Sequence, residues 1–158
     1  ALEQARRPSV IWLPFQECTG CTESITRAHG STLESLIFQG ISLDYQHTLQ
    51  AAAGTAAEQA REQAMKDNWG QYLLIVDGSI PIANAGYGTI AGVSHLEMLR
   101  EAAKGLPNNS EVQYHLGAAL AKGGNKAEAA DLVQKALKGD LRPAQKAEAQ
   151  KLLDQLSQ

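Results

Sequence analysis

The run from Tyr72 to Asp77 (YLLIVD) is apolar at every position except its last. A strand without polar alternation is typical of a parallel sheet that is covered on both faces, so this run favours a fold of the α/β class. Two further short strands are predicted, over residues 9–14 (SVIWLP) and residues 36–43 (LIFQGISL), because both segments combine β-branched, aromatic and aliphatic side chains.

Helical segments alternate with these strands. They are predicted from Thr22 to His29, from Thr48 to Asn68, and from the N-cap Ser94 to about Lys104, where Glu97 completes a capping box. This order is the opening of a doubly wound α/β domain, in which ligands bind at the carboxyl ends of the strands. We therefore expect the CxxC at residues 18–21 and the turns at residues 44–47 and 77–81 to meet at one edge of the sheet.

The first of these three segments carries the only two cysteines in the sequence, Cys18 and Cys21, in the order ECTGCTES (17–24). A CxxC at a strand-to-helix turn directs two thiolates at one point. Such a pair can hold half of a metal centre or iron–sulfur cluster, or it can cycle as a dithiol. Zinc is the weaker metal hypothesis, because the sequence has no second CxxC and no paired histidines.

Composition changes after Lys104. Before it lie both Trp, both Phe and three of the four Tyr; after it the chain is rich in Ala, Lys, Gln and Glu, and three helices are predicted over residues 111–122, 126–137 and 143–156. We therefore predict one domain over residues 1–104 and an all-α segment over residues 105–158. The net charge of −3 gives no sign of a nucleic-acid partner, and no apolar run is long enough for a transmembrane segment.

Residues 7–104 resemble the N-terminal part of the small subunit of nickel–iron uptake hydrogenases. The resemblance is carried by RPSVIWL (7–13), ECTGCTES (17–24), ISLDY (41–45), the Ala-Ala-Gly at 52–54 and YLLIVDGSIP (72–81). It implies a partial flavodoxin-like fold and an electron-transfer module that faces a nickel-bearing large subunit. Hydrogenase activity would then exist only in the complex of the two subunits, with a periplasmic or periplasm-facing location; a cytoplasmic one stays open.

The same resemblance assigns roles to three residues. Cys18 and Cys21 would be two of the four thiolate ligands of a [4Fe–4S] cluster, and Glu17 would take part in proton transfer at the subunit interface. The family's other two ligands come from later in its chain, and this sequence has no further cysteine. The resemblance therefore predicts a shortened module with an incomplete ligand set.

Residues 106–137 resemble a tetratricopeptide repeat, with residues 143–156 as its capping helix, so that the repeat-like segment covers 106–157. The resemblance is carried by Tyr114, Leu116-Gly117, Leu120, Gly124, Ala129, Ala136 and Leu137. Small residues at 117, 129 and 136 would let two helices approach closely. This segment implies a second partner protein, and it supports the alternative that the chain is a non-catalytic scaffold.

Overall fold

A computed structural model of the chain describes residues 7–157. Its main sheet has three parallel strands, β1 (Ser9–Pro14), β2 (Ser42–Tyr45) and β3 (Leu73–Asp77), in the order β2-β1-β3. Every residue of the central strand β1 is buried. This order equals the first three strands of the flavodoxin-like arrangement 2-1-3-4-5. The predicted mixed α/β architecture with a parallel sheet is confirmed.

The connection from β1 to β2 differs from the prediction. It contains α1 (Gly20–Thr26), the single turn α2 (Leu33–Ser35) and a π-helical turn, Leu36–Gly40, so the strand predicted over residues 36–43 is wrong for its first half. The Arg7 guanidinium donates to the carbonyls of Ile37 and Phe38, at 2.8 and 3.0 Å. The Arg7 cation therefore satisfies these two carbonyl groups at the helical turn, and they form no hydrogen bonds of the sheet ladder.

Helix α3 (Gly54–Asp67) connects β2 to β3. The prediction started this helix at Thr48, which is wrong, whereas its end at Asn68 is confirmed because Asn68 is the C-cap. The early residues form a turn because the Gln46 side-chain carbonyl accepts from the backbone N–H groups of Thr48 and Leu49, at 2.6 and 2.8 Å. That side chain replaces the bonds that would have continued the helix.

Tyr45 and Arg61 join the end of β2 to α3. The Tyr45 hydroxyl donates to Glu58 at 2.8 Å, and the buried Arg61 guanidinium lies 5.9 Å from the centre of the Tyr45 ring. Glu58 also accepts from Arg61 at 3.1 Å. Burial, together with the Glu58 hydrogen bond, raises the pKa of Tyr45 far above its usual value. The hydroxyl therefore stays a donor, and this three-residue cluster holds α3 against the sheet.

The chain divides into two compact units, one that ends at Ser79 and one that begins at Ile80. The second unit starts with a short helical turn, Ala85–Tyr87, and an antiparallel hairpin of β4 (Thr89–Ile90) and β5 (Val93–Ser94). Ser94 then caps α4 (His95–Lys104), and the capping box with Glu97 is present as the sequence predicts. The change of composition after Lys104 and the division at Ser79 fall at different places, and the domain boundary at 104/105 stays a prediction.

Three helices complete the second unit: α5 (Ser110–Lys122), α6 (Lys126–Leu137) and α7 (Pro143–Leu156). They agree with the predicted helices to within one residue at each end. Their shared core is formed by Tyr114, Val133, Ala136, Leu141 and Ala149. Within residues 7–157, no helix is long and apolar enough to cross a membrane.

Candidate functional site

The CxxC turn lies where β1 ends. Cys18 precedes α1, and Cys21 is the second residue of that helix. The chain reverses at Thr19, whose φ of 64° is in the left-handed region. The Glu17 carboxylate accepts a hydrogen bond from the Thr19 backbone N–H, which stabilises this uncommon backbone conformation. Gly20 leaves room for the first thiol, because a Cβ at this position would lie 3.1 Å from Cys18 Sγ.

Backbone hydrogen bonds hold the turn to the end of β3. The N–H of Phe15 donates to the carbonyl of Asp77 at 2.8 Å, and Gln16 and Ser79 exchange both of their bonds, at 3.1 and 2.9 Å. Gly78 lies between these contacts with a φ of 83°, and a Cβ there would come within 2.5 Å of the Gln16 carbonyl oxygen. The turn after β3 therefore lies directly against the segment that leads into Cys18.

A buried side-chain pair holds the turn to the end of β2. The Gln46 side-chain N–H₂ donates to the Thr22 hydroxyl at 3.0 Å, and both residues are almost fully buried. Thr22 directly follows Cys21. The turns after all three strands thus meet at the carboxyl edge of the sheet. This agrees with the expectation for residues 18–21 and 77–79 and, within residues 44–47, for Gln46. Asp44 is part of β2, and its carboxylate accepts from the Ser9 hydroxyl at the start of β1, so it does not reach this edge.

Asp77 faces the second cysteine. Its negative charge raises the pKa of the Cys21 thiol, with smaller contributions from desolvation, Cys18, Glu17 and a hydrogen bond to Asp77 itself. Both cysteines are exposed and free. The Asp77 Oδ2 atom is buried and, among the described residues, has no hydrogen-bond partner. The Asp77 carboxylate therefore favours the protonated thiol of Cys21 as its neighbour.

The donor set of this site suits half of a four-thiolate cluster. Two thiols at i and i+3 are the usual iron–sulfur ligands, and both are exposed and free here. Among residues 7–157, however, no group of three or more His, Cys, Asp or Glu side chains could hold a metal ion. His29 and His47 are both exposed, and neither completes a metal-binding group with the cysteines. The incomplete ligand set expected from the sequence stays a prediction for the protein as a whole.

A cavity of about 1080 Å³ lies elsewhere in the first unit, with Ser9 and Asp44 in its lining. Ser9 is the first residue of β1, whereas the cysteines follow the last, and none of Glu17, Cys18 and Cys21 lines the cavity. The cysteine pair lies on an open surface instead. Such a position suits contact with another macromolecule better than enclosure of a small molecule.

Three of the residues around the cysteines were not predicted as site residues. Asp77 had a signal in the sequence, because it is the charged residue that ends a wholly apolar strand. Thr22 and Gln46 had none, since a threonine in a short helix and a glutamine after a strand are ordinary surface residues by pattern.

The fold and the site together define a class: a parallel α/β module that carries a cysteine pair at its ligand-binding edge. Comparison with known proteins gives the family. The sequence profile of "NADH ubiquinone oxidoreductase, 20 Kd subunit" matches residues 18–143, and the chain belongs to this family. The match continues past Lys104 through α5 and α6, whose predicted tetratricopeptide-repeat class is not confirmed.

Two curated relatives are hydrogenase small subunits. The chain is 46% identical over 101 residues to the Hydrogenase-2 small chain of Escherichia coli (strain K12). This alignment covers 63% of this chain and 27% of the relative. The chain is 46% identical over 104 residues to the periplasmic [NiFe] hydrogenase small subunit of Solidesulfovibrio fructosivorans, covering 65% and 33%. The chain therefore spans between a quarter and a third of the length of these relatives, and its predicted resemblance is confirmed for the N-terminal segment.

A solved structure agrees with this relationship. The reduced, active form of the Ni-Fe-Se hydrogenase from Desulfomicrobium baculatum superimposes with a TM-score of 0.59 at 29% sequence identity. The superposition covers 62% of this chain and 38% of the other. The parallel sheet and helices of this chain are thus similar to the fold of a hydrogenase chain.

Proposed function

We propose that the chain is an electron-transfer module of a [NiFe] hydrogenase small subunit. Cys18 and Cys21 would be two thiolate ligands of a [4Fe–4S] cluster that faces a nickel-bearing large subunit. The observation that carries this proposal is the exposed cysteine pair at the carboxyl edge of the sheet, held from two neighbouring strands. The names of the relatives support the reaction, and one of them supports a periplasmic location.

The chain's own residues contribute ligands and their arrangement. When bound, an iron–sulfur cluster accepts and donates single electrons at a potential that nearby charge and hydrogen bonds adjust. Cys18 and Cys21 supply thiolates on the exposed surface, where a partner subunit can cover them. The Asp77 carboxylate interacts with Cys21 and would supply negative charge that disfavours reduction of a cluster held there. The remaining ligands are to be sought outside residues 7–157.

Native mass spectrometry on anaerobically purified protein tests this proposal. We expect iron and sulfide in the protein, together with association with a nickel-containing subunit. Cys18→Ser and Cys21→Ser should each abolish the iron content and leave the fold intact, because both side chains are exposed. A chain that carries no iron and binds no such subunit when it is isolated from its source without oxygen would refute the electron-transfer role.

Glu17 is proposed to hold or release a proton beside the cluster. The hydrogen bond from the Thr19 N–H gives this carboxylate a structural role as well, so the two roles need separate variants. Glu17→Gln keeps an oxygen acceptor for Thr19 but does not titrate, whereas Glu17→Ala removes both functions. A proton-transfer role predicts slow hydrogen oxidation in both variants with unchanged cluster content in Glu17→Gln. Full activity in Glu17→Gln would leave only the structural role.

A second candidate function is a scaffold that uses a tetratricopeptide-like pair, α5 and α6, to bind another protein. It is favoured by the close approach of these helices, since a Cβ at Gly117 would lie 2.9 Å from Val133 and the buried Ala129 and Ala136 are also small. Under this hypothesis, Cys18→Ser and Cys21→Ser leave partner binding intact. Under the first hypothesis, the same variants remove every iron-dependent property.

A further inference from the structure

The two sides of the CxxC turn are held by different means. On the β3 side the bonds join backbone groups, and the close approach depends on the absence of a side chain at Gly78. On the β2 side the turn is held by the side-chain hydrogen bond between Gln46 and Thr22, whose relative exposures are 0% and 2%. A buried polar pair of this kind is specific to its side chains, because an unpaired partner would carry a full desolvation cost.

The Gln46 amide is fixed in orientation by its own turn. Its side-chain carbonyl accepts from the backbone N–H groups of Thr48 and Leu49, at 2.6 and 2.8 Å. A flipped amide would place its N–H₂ against these two donors. The N–H₂ group must therefore point away from the turn, and it donates to the Thr22 hydroxyl.

Helix α1 depends on this contact for its orientation. Of its seven residues, all of which are described, Thr22 is the one that is buried. A helix of this length is not stable by itself in water, and its rotation about its own axis is set by the contacts of its buried face. Cys21 precedes Thr22 in the same turn of helix, whereas Cys18 lies before the helix. Any rotation of α1 therefore changes the position of one thiol relative to the other.

We infer that Gln46 is a positioning residue for the cysteine pair: through Thr22 it fixes the rotation of α1 and so the separation and direction of the two thiols. The inference rests on the proposed function only in one respect: the reason for positioning the two thiols would be to give them a geometry suited to a shared ligand. The geometric claim itself concerns side chains of this chain and can be measured without any metal.

The test is the dithiol–disulfide equilibrium of Cys18 and Cys21 in glutathione buffers, measured on the full chain by alkylation and mass spectrometry. Disulfide bonds require a narrow range of sulfur positions, so this equilibrium reports the geometry of the pair directly. Thr22→Val removes the hydroxyl and keeps the shape of the side chain, and Thr22→Ser keeps the hydroxyl. Thr26→Val is the matched control, because Thr26 in the same helix is exposed and bonds only locally, to the Glu23 carbonyl at 2.6 Å.

We expect Thr22→Val to shift the equilibrium constant by between about twofold and fivefold, the upper figure applying if the lost hydrogen bond had stabilised only one of the two redox forms, while Thr22→Ser and Thr26→Val stay within about twofold of the unmodified chain. An unshifted equilibrium in a folded Thr22→Val chain would overturn the inference. The fluorescence of the buried Trp12 reports folding, and if Thr22→Val does not fold, Thr22→Ala removes the same oxygen without adding a methyl group.

A second arm separates this inference from the proposed function. The unmodified chain and Thr22→Val are treated anaerobically with ferrous iron and sulfide, and bound iron is measured with and without the large subunit. No iron in either protein, together with a shifted dithiol equilibrium, refutes the cluster and keeps the positioning role. Equal iron binding and equal dithiol equilibria refute the positioning role and keep the cluster.

Discussion

Gly78→Ala should destabilise the first unit because it forces a Cβ into backbone atoms beside the cysteine turn. At position 78 that Cβ would lie 2.5 Å from the Gln16 carbonyl oxygen, 2.6 Å from its carbon and 2.9 Å from Glu17 Cβ. Real Cβ atoms do not approach other atoms this closely, so the turn after β3 must move away from the cysteine segment. Overpacking of this kind costs about 1–3 kcal/mol.

Gly70→Ala is the matched control for the backbone conformation. Gly70 precedes β3 in the same unit and has a φ of 74° against 83° at Gly78, and a Cβ at position 70 would meet nothing within 4 Å. Both variants carry the left-handed penalty of about 1–2 kcal/mol, reduced by roughly 0.4–1 kcal/mol for the lower entropy of the unfolded chain. We therefore expect about 1 kcal/mol for Gly70→Ala and about 2–4 kcal/mol for Gly78→Ala.

Urea unfolding followed by tryptophan fluorescence measures the difference, because both tryptophans, the buried Trp12 and the exposed Trp69, belong to the first unit. For urea slopes of about 1–3 kcal/mol per M, Gly78→Ala should unfold roughly 1 M earlier than Gly70→Ala. Equal midpoints for the two variants would refute the reasoning, since they would leave the close contact with Gln16 without energetic effect.

Three further predictions concern the helical core, the Glu111 carboxylate and the cysteine site. Val133→Ala, in the core of α5–α7, should lower the free energy of unfolding by about 2–3 kcal/mol, and Val93→Ala, at an exposed position, by less than about 0.5 kcal/mol, both measured by calorimetry. Hydrogen bonds from Gln145 and Arg142 lower the pKa of Glu111, so its contribution to the free energy of unfolding is present at neutral pH and is lost as the pH falls below 4.5. Because Glu111 is half-exposed, Glu111→Gln should lower the free energy of unfolding by under about 1 kcal/mol at pH 7 and not at all in acid. A loss of stability that does not change with pH would contradict this. Asp77→Asn removes the main charge that raises the pKa of Cys21, so alkylation of Cys21 in a Cys18→Ser background should become faster at neutral pH; an unchanged pH profile would contradict the assignment.

Strands and helix ends were predictable where a local signal fixes them. The apolar run before Asp77 and the Ser94 capping box both identify their elements without any long-range contact. The strand predicted over Leu36 to Gly40 is wrong, because its apolar side chains suit a strand whereas the observed turn is stabilised by Arg7, about thirty positions earlier in the sequence. Pattern within a short window carries no information about such a partner.

The same limit applies to the site. The cysteines and their place at the sheet edge follow from motif and topology, because parallel strands bring their carboxyl ends together. The hydrogen bond between Thr22 and Gln46 joins residues 24 positions apart, and the approach of Asp77, at the end of β3, to Cys21, in α1, joins residues 56 positions apart. These contacts depend on three-dimensional packing, and only the structure brings them into view.

Strand β3 has a consequence for handling the protein. Within residues 7–157 its ladder joins it to β1 on one side, and Leu73 and Val76 on this strand are 53% and 42% exposed. An open strand edge with apolar side chains is a template for adding a foreign strand. Concentrated or slowly refolded samples should therefore tend to self-associate through β3, and Val76→Lys should suppress that association.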